Sequence, residues 1–101
     1  MKFKSEIQDF AKVDLREAIK WYNLQKKGLG ADFLAEVKKT ILRLRIFPDL
    51  AEIRYFIIHT ATVDTFPYMV HYYFDQNKKA VIVIGVYHTS RNPKIWNDRL
   101  H

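Results

Sequence analysis

Hydrophobic residues recur at helical spacing in the first half of the chain. One set lies between Asp9 and Gly28, and its members share one face of a helix: Ala11, Leu15, Ala18, Ile19 and Tyr22. A second set lies between Ala31 and Ile46 and does the same: Phe33, Val37, Ile41 and Leu44. Asp9 is placed to cap the first helix, the sequence "KKGLG" ends it, and Pro48 stops the second. The pattern predicts a helical hairpin with an apolar underside.

The second half of the chain has the composition and alternation of β-strands. Three runs follow one another, joined by short turn sequences: "IRYFIIHTATV", "YMVHYYF" and "AVIVIGVYH". A shorter alternating run, "KFKSEI", precedes the first helix. The order β-α-α-β-β-β predicts an α+β fold in which the helical hairpin packs on a curved antiparallel sheet. Pro93 begins a short C-terminal turn or helix, and we expect residues 1–101 to form a single domain.

The composition of the chain excludes several classes of protein and of functional site. The chain has no cysteine, which excludes disulfides, thiol nucleophiles and cysteine-based metal sites. The four histidines, at positions 59, 71, 88 and 101, form no close pairs, so we expect no metal site and no cofactor. The longest apolar run, residues 80–87, is too short to span a bilayer, and the N-terminus has no signal-peptide pattern. We therefore expect a cytoplasmic protein without a membrane partner.

The charge of the chain is strongly basic. Seventeen Lys and Arg against eleven Asp and Glu give a formal net charge of +6 at pH 7. On a domain this small, the charge predicts attraction to an acidic partner, which can be nucleic acid, an acidic protein or an anionic surface. The excess is concentrated at the C-terminal end, because from Lys78 onward Asp98 is the only acidic residue.

The segment "GVYHTSRNPKIWNDR", residues 85–99, carries the candidate chemistry. Tyr87 and His88 end the last predicted strand, where adjacent positions face opposite sides of the sheet. His88 can act as a general acid or base, or it can close the strand by hydrogen-bonding the turn that follows. Arg91 and Trp96 suit phosphate binding and base stacking, but Trp96 can equally pack against the helical hairpin. A third alternative makes the whole segment a surface that meets a protein partner.

Several short motifs occur in a fixed order along nearly the whole chain. They are "A..DL.EA..WY" at 11–22, "G.G..F" at 28–33, "I..L...P" at 41–48, Arg54, "FPY.V.Y" at 66–72 and "H..R.P..W..R" at 88–99. Each is weak alone, but in this order and at these spacings the chain resembles the RelE/ParE superfamily of toxins from type II toxin–antitoxin, or plasmid stabilisation, modules. The pieces "WY", "GLGADF" and "FPY" are more similar to the ParE-like branch.

The resemblance implies the same β-α-α-β-β-β fold and a small toxin that inhibits growth until a cognate antitoxin neutralises it. A toxin dimer or a toxin–antitoxin hetero-oligomer is a possible assembly. Two targets stay open, since the ParE-like branch inhibits DNA gyrase and the RelE-like branch enters the ribosome and cleaves mRNA. A degenerate member that keeps the fold without toxicity is a third alternative.

The resemblance also assigns roles to individual residues. A metal-independent mRNA endonuclease would use Arg54 and Arg91 as phosphate-stabilising cations, with His88 or Tyr87 transferring a proton. No lysine cluster occupies residues 50–74, which disfavours this alternative. A protein-binding inhibitor would instead contact its partners through exposed aromatic and basic side chains: Arg91, Arg99, Trp96 and Trp21. We therefore expect inhibition of DNA gyrase by binding.

Overall fold

A computed structural model describes residues 2–90 of the chain. The described elements are β1 (Lys4–Ile7), α1 (Asp9–Gln25), α2 (Leu29–Ile46), β2 (Ile53–Tyr55), β3 (Ile58–Thr62), β4 (Tyr68–Asp75) and β5 (Ala80–His88). The predicted α+β fold, a helical hairpin packed on a sheet, is confirmed. The predicted C-terminal turn or helix that begins at Pro93 lies outside the described residues.

The five described strands form one sheet in the order β1-β5-β4-β3-β2. Strands β2 to β5 make the expected antiparallel meander, whereas β1 runs parallel to β5, with Lys4 opposite Ala80. The sheet is therefore mixed. Because the helical hairpin separates β1 from the other strands, no tight turn fixes the direction of β1, and its backbone groups pair along the exposed side of β5.

The run "IRYFIIHTATV" forms two strands where the pattern of β-branched residues predicts one. Phe56 has a φ angle of +48° and turns the chain back on itself, so that Tyr55 pairs with Ile58 and Ile53 with His59. The sheet thus gains β2 as an edge strand. A tight turn at a bulky residue has no glycine or Asn-Gly signal in the sequence, which explains why periodicity alone misses it.

The two helices approach each other closely at Gly30. The Gly30 amide donates to Asn23 Oδ1 at 2.8 Å, and a Cβ atom at Gly30 would lie 2.6 Å from the Ile19 carbonyl oxygen. Gly28 precedes α2 with a φ angle of +88°, which a glycine adopts without strain. Asp9 lies in the first turn of α1, next to the N-cap residue Gln8, so it acts through its charge on the helix terminus instead of as the expected cap.

The core lies between the helical hairpin and one face of the sheet. The helices contribute the predicted apolar faces: Ala11, Leu15, Ala18, Tyr22, Phe33, Val37, Ile41 and Leu44. A register shift in the β4–β5 pairing places Tyr72 opposite Val83 and His71 opposite Gly85. This bulge lets Val83 and Val86 both join the core although they are three positions apart.

Candidate functional site

Tyr87 and His88 lie on opposite faces of the sheet, as strand alternation predicts. The Tyr87 side chain is buried on the face away from the helices, with its ring centroid 4.7 Å from that of His71 in an edge-to-face contact. The His88 ring contacts Tyr68 on the helix side, with centroids 5.2 Å apart. The two candidate proton-transfer groups therefore cannot serve one reaction centre.

The imidazole of His88 is engaged with the residues that follow β5. Its Nδ1 lies 3.0 Å from the Ser90 amide nitrogen and 2.7 Å from the Ser90 hydroxyl oxygen. A backbone amide only donates, so Nδ1 accepts, and the neutral ring carries its proton on Nε2. His88 thus closes the strand in the way that one of the two sequence-based alternatives describes.

A groove runs between α1 and the C-terminal end of β5, and we call it the α1–β5 groove. It consists of two adjoining cavities that share the side chains of Trp21, Tyr68 and His88. The polar cavity has a volume of about 190 Å³, and its further lining residues are Asp14, Glu17, Ala18 and Val86. The apolar cavity has a volume of about 510 Å³, and its further lining residues are Tyr22 and Pro67. Together they offer a surface wide enough for several side chains of a partner.

The floor of the groove is held by contacts between α1 and the sheet. The carboxylate of Asp14 accepts a hydrogen bond of 3.0 Å from the Val86 amide, which ties the helix to β5. The Tyr22 ring packs against three neighbours in the core: Phe33, Phe66 and Tyr68. Burial, with a smaller contribution from the neighbouring Tyr68, raises the pKa of the Tyr22 phenol. The tyrosine therefore stays neutral and acts as a packing residue.

The described lining of the groove combines aromatic rings with carboxylates. Of the described residues that line it, two are carboxylates and none is lysine or arginine. Trp21, which is 54% exposed, presents a large flat ring to a binding partner. Aromatic rings beside carboxylates suit apolar or cationic side chains of a protein partner.

Arg54 is exposed on β2, at the far edge of the sheet from the groove. Strands β3 and β4 separate β2 from β5, so the axes of β2 and β5 lie about 14 Å apart at normal strand spacing. The described members of the endonuclease set, Arg54, Tyr87 and His88, are therefore not brought together. Arg91, Trp96 and Arg99 lie outside the described residues, and their roles stay predictions.

A buried polar cluster on the sheet face away from the helices joins Tyr87 to Tyr55 and His71, which are not among the sequence-predicted site residues. The hydroxyl of Tyr55 lies 3.0 Å from His71 Nδ1, and His71 in turn contacts Tyr87. His71 has no solvent exposure, so a substrate does not reach it in this conformation. Alternation along β4 predicts that His71 faces the other side of the sheet from Val70 and Tyr72. Its contact with Tyr55 could not be predicted, because it depends on the turn between β2 and β3.

Within residues 2–90, no group of three or more histidine and acidic side chains is arranged to hold a metal ion. Neither described helix has the length and apolarity needed to cross a membrane.

Solved structures of RelE and ParE toxins share this fold. The chain superposes with a TM-score of 0.75 and 10% identity on a chain of the chromosomal ParDE toxin–antitoxin system from P. aeruginosa, covering 86% of this chain and 96% of that one. A mutant of the E. coli toxin RelE in the free state gives a TM-score of 0.74 and 16% identity, covering 99% and 96%. A chain of the RelBE2 toxin–antitoxin complex from Mycobacterium tuberculosis gives a TM-score of 0.66 and 18% identity, covering 87% of this chain and 99% of that one. Identities this low show a common fold.

The family assignment comes from the sequence. A family model described as "ParE toxin of type II toxin-antitoxin system, parDE" matches residues 6–93. The chain belongs to this family, so it is a toxin of a type II toxin–antitoxin module and a member of the RelE/ParE superfamily. A comparison with curated proteins found no match.

Proposed function

We propose that this toxin inhibits growth by binding a protein target, DNA gyrase, and not by cutting RNA. The placement of Arg54, Tyr87 and His88 carries the proposal. Cleavage of RNA without a metal needs a base, an acid and cations around one phosphate. Instead, Arg54 lies at the edge of the sheet, Tyr87 on the face away from the helices and His88 on the face towards them.

The cognate antitoxin is the expected first partner, and the α1–β5 groove is the surface that we assign to it. The groove offers an exposed tryptophan, a broad apolar cavity and a carboxylate end. A partner segment that inserts apolar side chains beside Trp21 would bury this ring, and aromatic anchors of this kind dominate many interfaces. A gyrase target would mean that the toxin acts in the cytoplasm.

A supercoiling assay tests the target. The purified full-length chain is added to DNA gyrase, relaxed plasmid and ATP, and we expect supercoiling to stop once the toxin is in excess. Adding the cognate antitoxin in equal amount restores the activity. Unchanged supercoiling at excess toxin would refute the proposal, and mRNA fragments that map to ribosomal A-site codons would establish the endonuclease alternative. Normal growth of cells that make the chain would indicate a degenerate member.

Arg91 is the residue that we expect to matter most for toxicity. It belongs to the C-terminal motif of the resemblance and lies outside the described residues. Arg91→Ala is expected to abolish growth inhibition on induced expression while the chain still folds and still binds antitoxin. The control is Arg16→Ala, which removes one exposed cation from α1. Full toxicity of Arg91→Ala would move the working surface elsewhere.

A further inference from the structure

Exposed apolar side chains are concentrated beside the edge strand β2. We call residues 46–57 the β2 edge, and its exposed large hydrophobic residues are Ile46, Phe47, Leu50, Ile53, Phe56 and Ile57. In the described sheet β2 is the outermost strand, so one side of its backbone has no strand beside it. Apolar patches and open strand edges of this kind mark surfaces where another chain associates.

Phe56 is the most unusual residue of the β2 edge. Its φ angle of +48° is a conformation that bulky side chains avoid, and its side chain is 75% exposed. The fold therefore holds an apolar ring outward at a cost in free energy. A second molecule that covers the ring would recover the hydrophobic contribution that the isolated chain lacks.

The order of residues in the β2 edge is complementary to itself. Antiparallel pairing of two copies about Ile53 sets Glu52 of each copy opposite Arg54 of the other. The backbone agrees with this register. The Glu52 carbonyl accepts from the Thr60 amide at 3.3 Å, so by strand alternation the backbone groups of Ile53 point away from β3.

The charge of the β2 edge also favours a second copy. The whole chain carries +6, so two copies repel each other over most of their surface. Residues 46–57 contain two acidic side chains, Asp49 and Glu52, against the single cation Arg54. This segment is therefore a place where copies of a basic protein meet without a clash of positive charge.

We propose that the β2 edge is a homodimer interface in which two copies pair antiparallel about Ile53, with reciprocal Glu52–Arg54 contacts and the surrounding apolar side chains packed together. The strand spans three residues and contains a register irregularity, which limits the backbone contribution. The dimer is accordingly weak, with a dissociation constant in the micromolar range. This inference does not depend on the target of the toxin.

Sedimentation velocity of the purified full-length chain, without antitoxin or target, tests the proposal. We expect the average mass to rise from 12.1 kDa towards twice that value as the concentration passes through the micromolar range. Glu52→Arg or Arg54→Glu alone places like charges opposite each other twice per dimer, so each is expected to weaken association about tenfold. The double variant Glu52→Arg/Arg54→Glu restores opposite charges and is expected to restore the dimer.

Matched controls separate this register from an effect of net charge. Glu17→Arg and Arg16→Glu make the same charge changes on exposed positions of α1 and are expected to leave the dimer unchanged. A mass of 12.1 kDa at every concentration overturns the proposal. A dimer that ignores the single reversals, or single reversals that the double variant does not rescue, overturns it as well.

Discussion

Three residues of α1 contribute to the groove in different ways. Trp21 is exposed at its rim, whereas Tyr22 packs into the core and Asp14 holds the Val86 amide. The Trp21 ring contacts Tyr22 edge-to-face, with centroids 5.0 Å apart, but it is not one of the buried core residues. Its removal should therefore leave the core closed. This separation lets binding and stability be measured independently.

Trp21→Ala is expected to weaken the complex with the cognate antitoxin by about 2 kcal/mol, roughly thirtyfold in the dissociation constant, because truncating an aromatic anchor removes much of its buried contact area. The free energy of unfolding should change by less than about 1 kcal/mol. Calorimetric titration and urea unfolding measure the two quantities. Leu24→Ala, which truncates an exposed residue on the next turn of α1, is the control, and equal losses for both variants would contradict the assignment of the groove.

The phenol of Tyr72 makes stability depend on pH in the alkaline range. Burial raises its pKa from 10.0 to about 12, because the ionised form loses its hydration in the core. The unfolded chain therefore ionises first. The contribution of Tyr72 is fully present below about pH 10 and is lost as the pH rises towards about 12.

Urea unfolding at a series of alkaline pH values measures this dependence. The comparison is Tyr72→Phe, which cannot ionise but also lacks the 2.7 Å hydrogen bond from the hydroxyl to the Pro48 carbonyl. The variant is expected to be less stable at neutral pH and to lose less stability on going from about pH 10 to about pH 12. Parallel pH curves for the two proteins would show that the phenol of Tyr72 is not responsible.

At the scale of elements, the contact between the helices depends on the absence of a side chain at Gly30. Gly30→Ala is expected to cost about 1–3 kcal/mol of unfolding free energy, although alanine is the better helix former, because its Cβ would meet the Ile19 carbonyl. Gly28→Ala is the comparison. A Cβ at this position would meet no other atom, so the cost comes only from the left-handed backbone and is about 1–2 kcal/mol. Gly28→Asn should lower this cost. A Gly30→Ala protein more stable than the parent would contradict the packing described.

The helices and their buried faces could be predicted because helical periodicity is local. Phe33 and Leu44, for example, are spaced to share one stripe and are both fully buried. The split of β2 from β3 could not be predicted, since it depends on one backbone angle at Phe56. The parallel pairing of Lys4 with Ala80 joins residues far apart in sequence, and no local pattern encodes it.

In the candidate site too, features set by local sequence could be predicted and features set by tertiary packing could not. That Tyr87 and His88 face opposite ways was predictable, because alternation is a property of the strand itself. That Trp21 and His88 line one groove was not, because it requires α1 to dock on β5 and the bulge to place Val86 towards the helix. The contact between Asp14 and Val86 is likewise a product of tertiary packing.

At the scale of the whole molecule, the net charge of +6 governs how fast an acidic partner finds the toxin. The association rate with an antitoxin that carries an acidic segment is expected to fall on the order of tenfold between about 0.05 M and about 0.5 M salt, because ions screen the attraction. The dissociation rate should change less. Stopped-flow tryptophan fluorescence measures both rates, with sucrose as an uncharged additive for comparison. An association rate that ignores salt would show that steering by charge is unimportant.

The parallel pairing of β1 with β5 has a consequence for folding of the toxin during its translation. The first strand is translated at the start, but Ala80, the partner of Lys4, follows only after both helices and three further strands. Until then β1 has no neighbour in the described sheet, and the β5 wall of the groove does not exist. Folding is therefore delayed until most of the chain has been translated. An unfinished nascent chain therefore lacks the complete sheet, and a partner of the α1–β5 groove can bind only after β5 has been made.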